Sequence, residues 1–398
     1  MSRMRLGVDA RPLSWPDARG KQRVTRNLLR ELAERFEAEI ELILYSNSPF
    51  LFIPPGVTTR TLPGTQFSYC IRGLPKAVKE DKCDVFLGTA PAVVVTGCPS
   101  AYMVYDGFQF KLKVALSSIF RRPLGSAANS ILGVVAELVQ VLSARFADGL
   151  IFDSQCVQQE FFSISPHSRH KPNVVAHLGV DPDLSSIDTK ESRKRIEREL
   201  GIDGRFLLYV GAVSWPKNIE GLVAMYRHLR KADSSLSLVV VGGSAWPKYY
   251  RDPLDGTQGI RYFPYLKDRD VAALYSTCEA LVTMSFYEGF GLPVLEAMSH
   301  GAPVVVSDRG SLPEVAGNAG LVIDPSDPVG TAKTVERLVN DRSLWEKQRN
   351  LSLARANDFS WSHSADQVVS LLRRLVSPNF LQYSAIANSQ SVYLSAMP

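Results

Sequence analysis

The stretch Ala280–Ser307, ALVTMSFYEGFGLPVLEAMSHGAPVVVS, decides the fold. It reads as a strand over Ala280–Met284, a loop carrying Glu288-Gly289-Phe290-Gly291, a helix over Pro293–His300 and a second strand over Pro303–Ser307. Proline suits the first helical position, where no amide hydrogen is needed. Gly301 fits the left-handed residue that stops a helix, and the loop glycines let a ligand come close to the backbone. An apolar strand, a glycine loop, a helix and another apolar strand make the βα unit of a parallel sheet.

The same pattern runs outward on both sides. Toward the N-terminus lie a strand Phe206–Val210 closed by Gly211, a helix Asn218–Arg230, a strand Leu236–Val241 closed by Gly242-Gly243, and a helix Val271–Thr277. The first half alternates likewise, with strands at Arg5–Asp9, Ile40–Tyr45, Asp84–Leu87, Ser100–Tyr105 and Gly149–Phe152 and a helix at Val24–Phe36. A chain of 398 residues is too long for one ordinary core. The expected class is therefore α/β, with two Rossmann-like domains whose parallel sheets face an interdomain cleft. The expected domains are 1–185 and 186–358, joined through the charged stretch 181–203. Terminal helices over Ser343–Val376 are interrupted at Phe359-Ser360-Trp361, and residues 360–376 are expected to pack back on the first domain. The stretch 377–398 reads as a tail of unknown role.

Composition excludes several classes. With 45% hydrophobic and 21% charged residues the chain is globular rather than disordered. A net charge of +5 is too small to point to nucleic acid, although it suits phosphate-bearing substrates or an anionic membrane surface. The five cysteines are scattered and none pairs at the spacing of a zinc or thioredoxin-like site, which fits a reducing compartment. The opening MSRMRLGVDARPL lacks an apolar core of signal-peptide length. No uninterrupted apolar run approaches the roughly 18 residues of a membrane span. The expected location is cytoplasmic, either soluble or peripheral at the inner face of a membrane. Phe110–Leu142 sets Lys111, Lys113, Arg121 and Arg122 among apolar residues, which suits either such a surface or ordinary domain packing.

Amides at a helix start, backed by the helix dipole, form a ready phosphate site. Glu296 falls in the expected first turn, near enough to accept hydrogen bonds from ribose hydroxyls, and Glu288 lies at the strand's carboxyl end, where ligands of open α/β sheets gather. Acidic residues also favour helix N-termini without any ligand, so each glutamate alone admits a purely structural explanation.

The segment EGFGLPVLEAMSHGAPVVVSDRGSLPEVAGNAGLVIDP resembles the signature of retaining family-four glycosyltransferases of GT-B fold, the glycosyl transferases group 1. Two glutamates seven residues apart around a G-F-G turn carry it. The resemblance is strongest from Tyr209 to Pro325 and weakest between Asn47 and Ser143. It implies an acceptor-binding first domain and a nucleotide-sugar-binding second one. Glu288 would stabilise positive charge at the anomeric carbon, and Gly289, Phe290, Gly291 and Leu292 would offer backbone groups to the sugar and the diphosphate. Glu296 would hold the ribose, and Lys217, in YVGAVSWPKN, would meet the leaving diphosphate. The usual arginine partner of that lysine is missing, its place taken by Pro216 or Ala212.

On the acceptor side, GVDARPLSWPDARGKQRV resembles the family's opening glycine loop. Gly20 and Arg23 match it, Gln22 and Val24 depart, and Lys21 with Arg23 would bind phosphate or an anionic acceptor; alternatively these residues only flank an amphipathic helix. In AYMVYDGFQF, Tyr105 stands where relatives have histidine. Asp106 is kept, to position the attacking hydroxyl or to cap the following segment. His177 reads as structural. The implied reaction moves a hexose, with a weak preference for mannose, from a nucleoside diphosphate sugar to a hydroxyl of a glycan or lipid-linked acceptor, in surface polysaccharide synthesis. Asp268-Arg269-Asp270 heads a helix rather than a metal-binding loop, so neither a metal nor a cofactor is expected. A nicotinamide-dependent oxidoreductase would need a G-x-G-x-x-G turn where RPLSWP follows the first strand. A non-catalytic nucleotide-sugar-binding or scaffold protein is the alternative.

Overall fold

Strands that are apolar on both sides must be covered on both faces, which is the setting of a parallel sheet wrapped by helices. The structure, a computed structural model, describes residues 3–15, 19–90, 92, 94–105, 138–184, 189–243, 254 and 256–377. It divides into two compact units, Met1–His177 with Trp361–Pro398, and Leu178–Ser360. Each is α/β.

The N-terminal unit carries β1 (Met4–Asp9), β2 (Ile40–Ser46), β3 (Thr58–Thr61), β4 (Val85–Gly88), β5 (Ser100–Val104), β6 (Gly149–Phe152) and β7 (Asn173–Val175). They lie in the order β3-β2-β1-β4-β5-β6-β7, all parallel. The helix Trp361–Leu375 belongs to this unit: Arg35, in the helix Arg19–Arg35, donates to Ser362 O at 2.7 Å and to Asp366 at 3.0 Å. Its leucines reach the sheet, since a Cβ on Gly149 in β6 would lie 3.0 Å from Leu375 and 3.4 Å from Leu371.

The C-terminal unit carries β8 (Phe206–Val210), β9 (Ser237–Val241), β10 (Ile260–Phe263), β11 (Ala280–Thr283), β12 (Val304–Ser307) and β13 (Gly320–Ile323), in the order β10-β9-β8-β11-β12-β13, again all parallel. The direction of winding reverses between β8 and β11, which pair through Ala280↔Leu207 and Leu281↔Leu208. The loops leaving their carboxyl ends therefore emerge side by side, at the place where open α/β sheets bind ligands.

The division falls at His177/Leu178, ahead of the charged stretch expected to join the domains. That stretch is itself structured: Thr189–Leu200 is a helix that buries Ser192 and Ile196, and its Arg195 pairs with Asp270 at 2.6 Å. Its charges are those of a solvated face. Most of the 110–142 segment and all of the tail but Ser377 lie outside the described residues.

Residues 138–146 are helical, and Lys171 closes that helix. Its Nζ donates to the carbonyls of Ala144, Arg145 and Ala147 at 3.2, 2.6 and 2.6 Å, and burial lowers its pKa. A cation is favoured at a helix C-terminus, and here it also satisfies orphan carbonyls. Lys171→Met, which keeps the aliphatic stem, is expected to cost about 1–3 kcal/mol. Calorimetry should register a thermal midpoint lower by several degrees; an unchanged midpoint contradicts the capping role.

Candidate functional site

Two loops of the C-terminal unit meet at the reversal point. One leaves β8 through Gly211, makes a 3-10 turn at Trp215–Lys217, and enters the helix Ile219–Ala232 through Asn218. Asn218 takes a left-handed conformation, caps that helix by accepting from Gly221 N–H at 3.1 Å, and donates to Pro325 O at 2.8 Å. The other loop leaves β11 and carries Ser285, Phe286 and Glu288. The loops are tied together by a bond from Phe286 N–H to Pro216 O at 2.8 Å and by the Trp215 and Phe286 rings, 5.4 Å apart.

This tie brings Lys217 to Glu288. Nζ lies 2.6 Å from Oε2, and the two side chains are only 24% and 19% exposed. Ser285 Oγ donates to the other oxygen, Oε1, at 2.9 Å. Thr283 Oγ1 sits 3.2 Å from Ser285 Oγ, and Ser307 Oγ donates to Ser285 O at 2.6 Å. The buried Tyr209 phenol donates to Ala212 O at 3.0 Å. Its pKa is raised well above the usual value by burial, and the Glu288 charge adds in the same direction. The main chain of Glu288 is held as well, because both the N–H and the Oγ of Ser311 donate to Glu288 O at 3.1 Å.

The helix after the glycine turn differs from its sequence reading. It spans Leu292–Ser299, one residue earlier than expected, because Gly291 adopts a left-handed conformation (φ 96°) and serves as its N-cap. A Cβ at Gly291 would come 2.7 Å from Leu312 Cδ2. Glu296 consequently opens the second turn rather than lying in the first. It is buried, and its Oε2 accepts from Tyr275 Oη at 2.9 Å. The expected ready amides are also fewer: Val294 and Leu295 N–H both turn to Gly291 O, and Pro293 has none. Phe290 is an anchor, its ring edge-on to Phe359 at 5.9 Å.

Lys217, Glu288, Gly289, Phe290, Gly291, Leu292 and Glu296 thus share one unit and one end of one sheet. Gly20 and Arg23 belong to the N-terminal unit, and they lie within the helix Arg19–Arg35 rather than in a loop. The Lys21 ammonium stands 5.7 Å from the centroid of the Tyr105 ring. Tyr105 is buried and donates to Met103 Sδ at 3.4 Å, so its phenol is a packed group. Asp106 lies outside the described residues. Ser285, Gly310 and Ser311 were not singled out in the sequence. A serine three residues before the glutamate was the available signal. Also unforeseen is a buried ion pair at the end of β1, where Arg11 Nη2 meets Asp9 Oδ2 at 2.7 Å and Tyr69 Oη donates to Asp9 at 3.2 Å.

The fold is of GT-B type, and residues 192–356 match the family described as glycosyl transferases group 1. The chain is 37% identical over 177 residues to the O-antigen chain mannosyltransferase B of Escherichia coli, a match covering 43% of this chain and 46% of that one. It thus spans less than half the length of that relative. Among solved structures, the sucrose-phosphate synthase of Thermosynechococcus elongatus superposes with a TM-score of 0.72 at 19% identity, covering 94% of this chain and 99% of that one. The Anabaena HepE protein in complex with UDP-glucose does so with a TM-score of 0.69 at 16% identity, covering 94% and 100%. These two likenesses speak for the fold.

Gly310 separates packing from mere tolerance. Its φ is 61°, and a Cβ there would lie 2.5 Å from Glu288 O, whereas a Cβ on Gly20 would meet nothing within 4 Å. Gly310→Ala is expected to destabilise by about 1–3 kcal/mol, and Gly20→Ala, inside a helix, to hold or raise stability. Thermal unfolding of the two variants side by side checks the contrast; equal midpoints would count against it.

Proposed function

We propose that the protein is a retaining, metal-independent hexosyltransferase. It moves a hexose, mannose being the weak preference, from a nucleoside diphosphate sugar to a hydroxyl of a glycan or lipid-linked acceptor in surface polysaccharide synthesis. The Lys217–Glu288 pair at the reversal point of the C-terminal sheet carries this reading. The similarity to an O-antigen chain mannosyltransferase supports the choice of sugar and pathway class.

In the proposed reaction the bond from the anomeric carbon to the diphosphate oxygen breaks, leaving positive charge on the sugar and negative charge on the diphosphate. Lys217 turns to the diphosphate, aided by backbone groups of Gly289, Phe290, Gly291 and Leu292, and Glu288 faces the sugar cation. Glu296, oriented by Tyr275, takes the ribose hydroxyls. On the N-terminal unit, Gly20 and Arg23 bind phosphate or an anionic acceptor, and Asp106 positions the acceptor hydroxyl. The acceptor oxygen bonds to the anomeric carbon on the face the diphosphate leaves, and the acceptor proton passes to a diphosphate oxygen. Lysine and amide donors supply the charge that a divalent ion would otherwise bring.

The assay is transfer or donor hydrolysis across GDP-mannose, UDP-glucose and related nucleoside diphosphate hexoses, in EDTA and in magnesium. Turnover of at least one donor, differing less than about twofold between the two conditions, is expected. Strict metal dependence contradicts the mechanism. Protection against unfolding with no turnover of any donor would make the protein a nucleotide-sugar binder instead.

A lipid-linked acceptor places the N-terminal unit at an anionic membrane surface. Leu138, Leu142 and Phe146 are exposed at intervals of four residues along the helix over 138–146, one helical face. Arg145 stands beside them, and Lys111, Lys113, Arg121 and Arg122 precede them in sequence. Among the described residues no helix is long and apolar enough to cross a membrane, so the contact proposed is peripheral. The protein should sediment with phosphatidylglycerol vesicles and not with phosphatidylcholine vesicles, and Phe146→Glu should weaken this at least about fivefold. Equal binding by the variant removes this face from the proposal.

A further inference from the structure

We infer that Ser285 is a positioning residue of the transfer reaction: it keeps Glu288 in place when Lys217 turns to the donor. The inference rests on the reading of Glu288 as the carboxylate that faces the sugar cation.

Both oxygens of Glu288 are held, Oε2 by Lys217 at 2.6 Å and Oε1 by Ser285 at 2.9 Å. These two restraints are not equivalent. Lys217 carries one ammonium with two claims on it, the carboxylate and the diphosphate. Pro216 and Ala212 stand where an arginine would share this duty and bring no side-chain cation; their carbonyls accept from Phe286 N–H and from the Tyr209 phenol. As Lys217 moves toward the diphosphate, its contact with Glu288 lengthens and weakens.

Ser285 has no such second claim. It is fully buried, and its carbonyl is fixed by Ser307 Oγ at 2.6 Å. A hydroxyl has one proton; with that proton given to Glu288 Oε1, the 3.2 Å contact with Thr283 Oγ1 must be donated by Thr283. The chain Thr283 to Ser285 to Glu288 therefore runs in one direction and strengthens a bond to a charged acceptor. It starts in β11, whose Thr283 pairs with Val306 of β12 and whose Ala280 and Leu281 pair with β8. A carboxylate that must meet charge appearing only in the transition state gains from such a fixed support.

The test compares Ser285→Ala, Thr283→Val and Glu288→Gln, using the nucleoside diphosphate hexose turned over in the panel above. Ser285→Ala is expected to lower kcat about 10- to 100-fold while changing KM for the donor less than about threefold. Thr283→Val should show the same split with a smaller fall, about three- to tenfold. If Ser285→Ala does not fold, Thr283→Val decides. Retained kcat in the serine and threonine variants, with Glu288→Gln inactive, overturns the role of Ser285 and leaves the reading of Glu288 intact. A rise in KM at unchanged kcat overturns it equally, since that marks ground-state binding. An active Glu288→Gln instead overturns the reading of Glu288 on which the inference rests.

Discussion

The contact between Lys217 and Glu288 is the constraint around which the C-terminal unit is arranged. Two opposite charges mostly withdrawn from water gain little net stability, because desolvation offsets most of their attraction. Such a pair persists when the surrounding chain holds it. Here hydrogen bonds to main-chain carbonyls supply the hold: Phe286 N–H on Pro216 O, Ser311 N–H and Oγ on Glu288 O, and Asn218 Nδ2 on Pro325 O. Each restrains one or both of the two loops. The pair thus stands at the carboxyl end of the sheet on two restrained loops.

Sheet topology explains why these residues and not others meet. Winding out from β8 through β9 to β10 and then back to β11 leaves the ends of β8 and β11 adjacent. Glu288 and Lys217 hang from those two ends. The N-terminal sheet reverses in the same manner between β1 and β4, and there the Asp9–Arg11 pair, Tyr69, and a bond from Thr89 Oγ1 to Asp9 O occupy the strand ends. Each unit thus gathers charge at the carboxyl edge of its sheet, as open α/β sheets do.

The βα rhythm was legible in the sequence, because buried parallel strands leave uninterrupted apolar runs and glycines punctuate their ends. LVVV at β9 and VVV at β12 are of that kind. The edge strands were not: Thr58–Thr61 is TTRT, largely exposed, and among the described residues it pairs with β2 alone. The helix Thr189–Leu200 was mistaken for connecting chain because charge fills its surface while Ile196 and Ser192 anchor it. Glu288, Lys217 and the glycine turn were readable as a family pattern. The bond between the two charges was not, since it depends on strand order rather than on spacing. Glu296 falls in the second turn because a left-handed Gly291 starts the helix one residue early, and the role of Ser285 depends on a side-chain contact that the sequence does not show.

The proposed sharing of one ammonium between a carboxylate and a diphosphate has a consequence that calorimetric titration can read directly. Removing the negative charge at residue 288 frees Lys217 for the phosphates. Whichever of GDP and UDP binds the wild-type protein should then bind Glu288→Gln more tightly, by roughly three- to tenfold, even though the variant no longer transfers sugar. Equal or weaker binding of the nucleoside diphosphate by Glu288→Gln would contradict the sharing of Lys217.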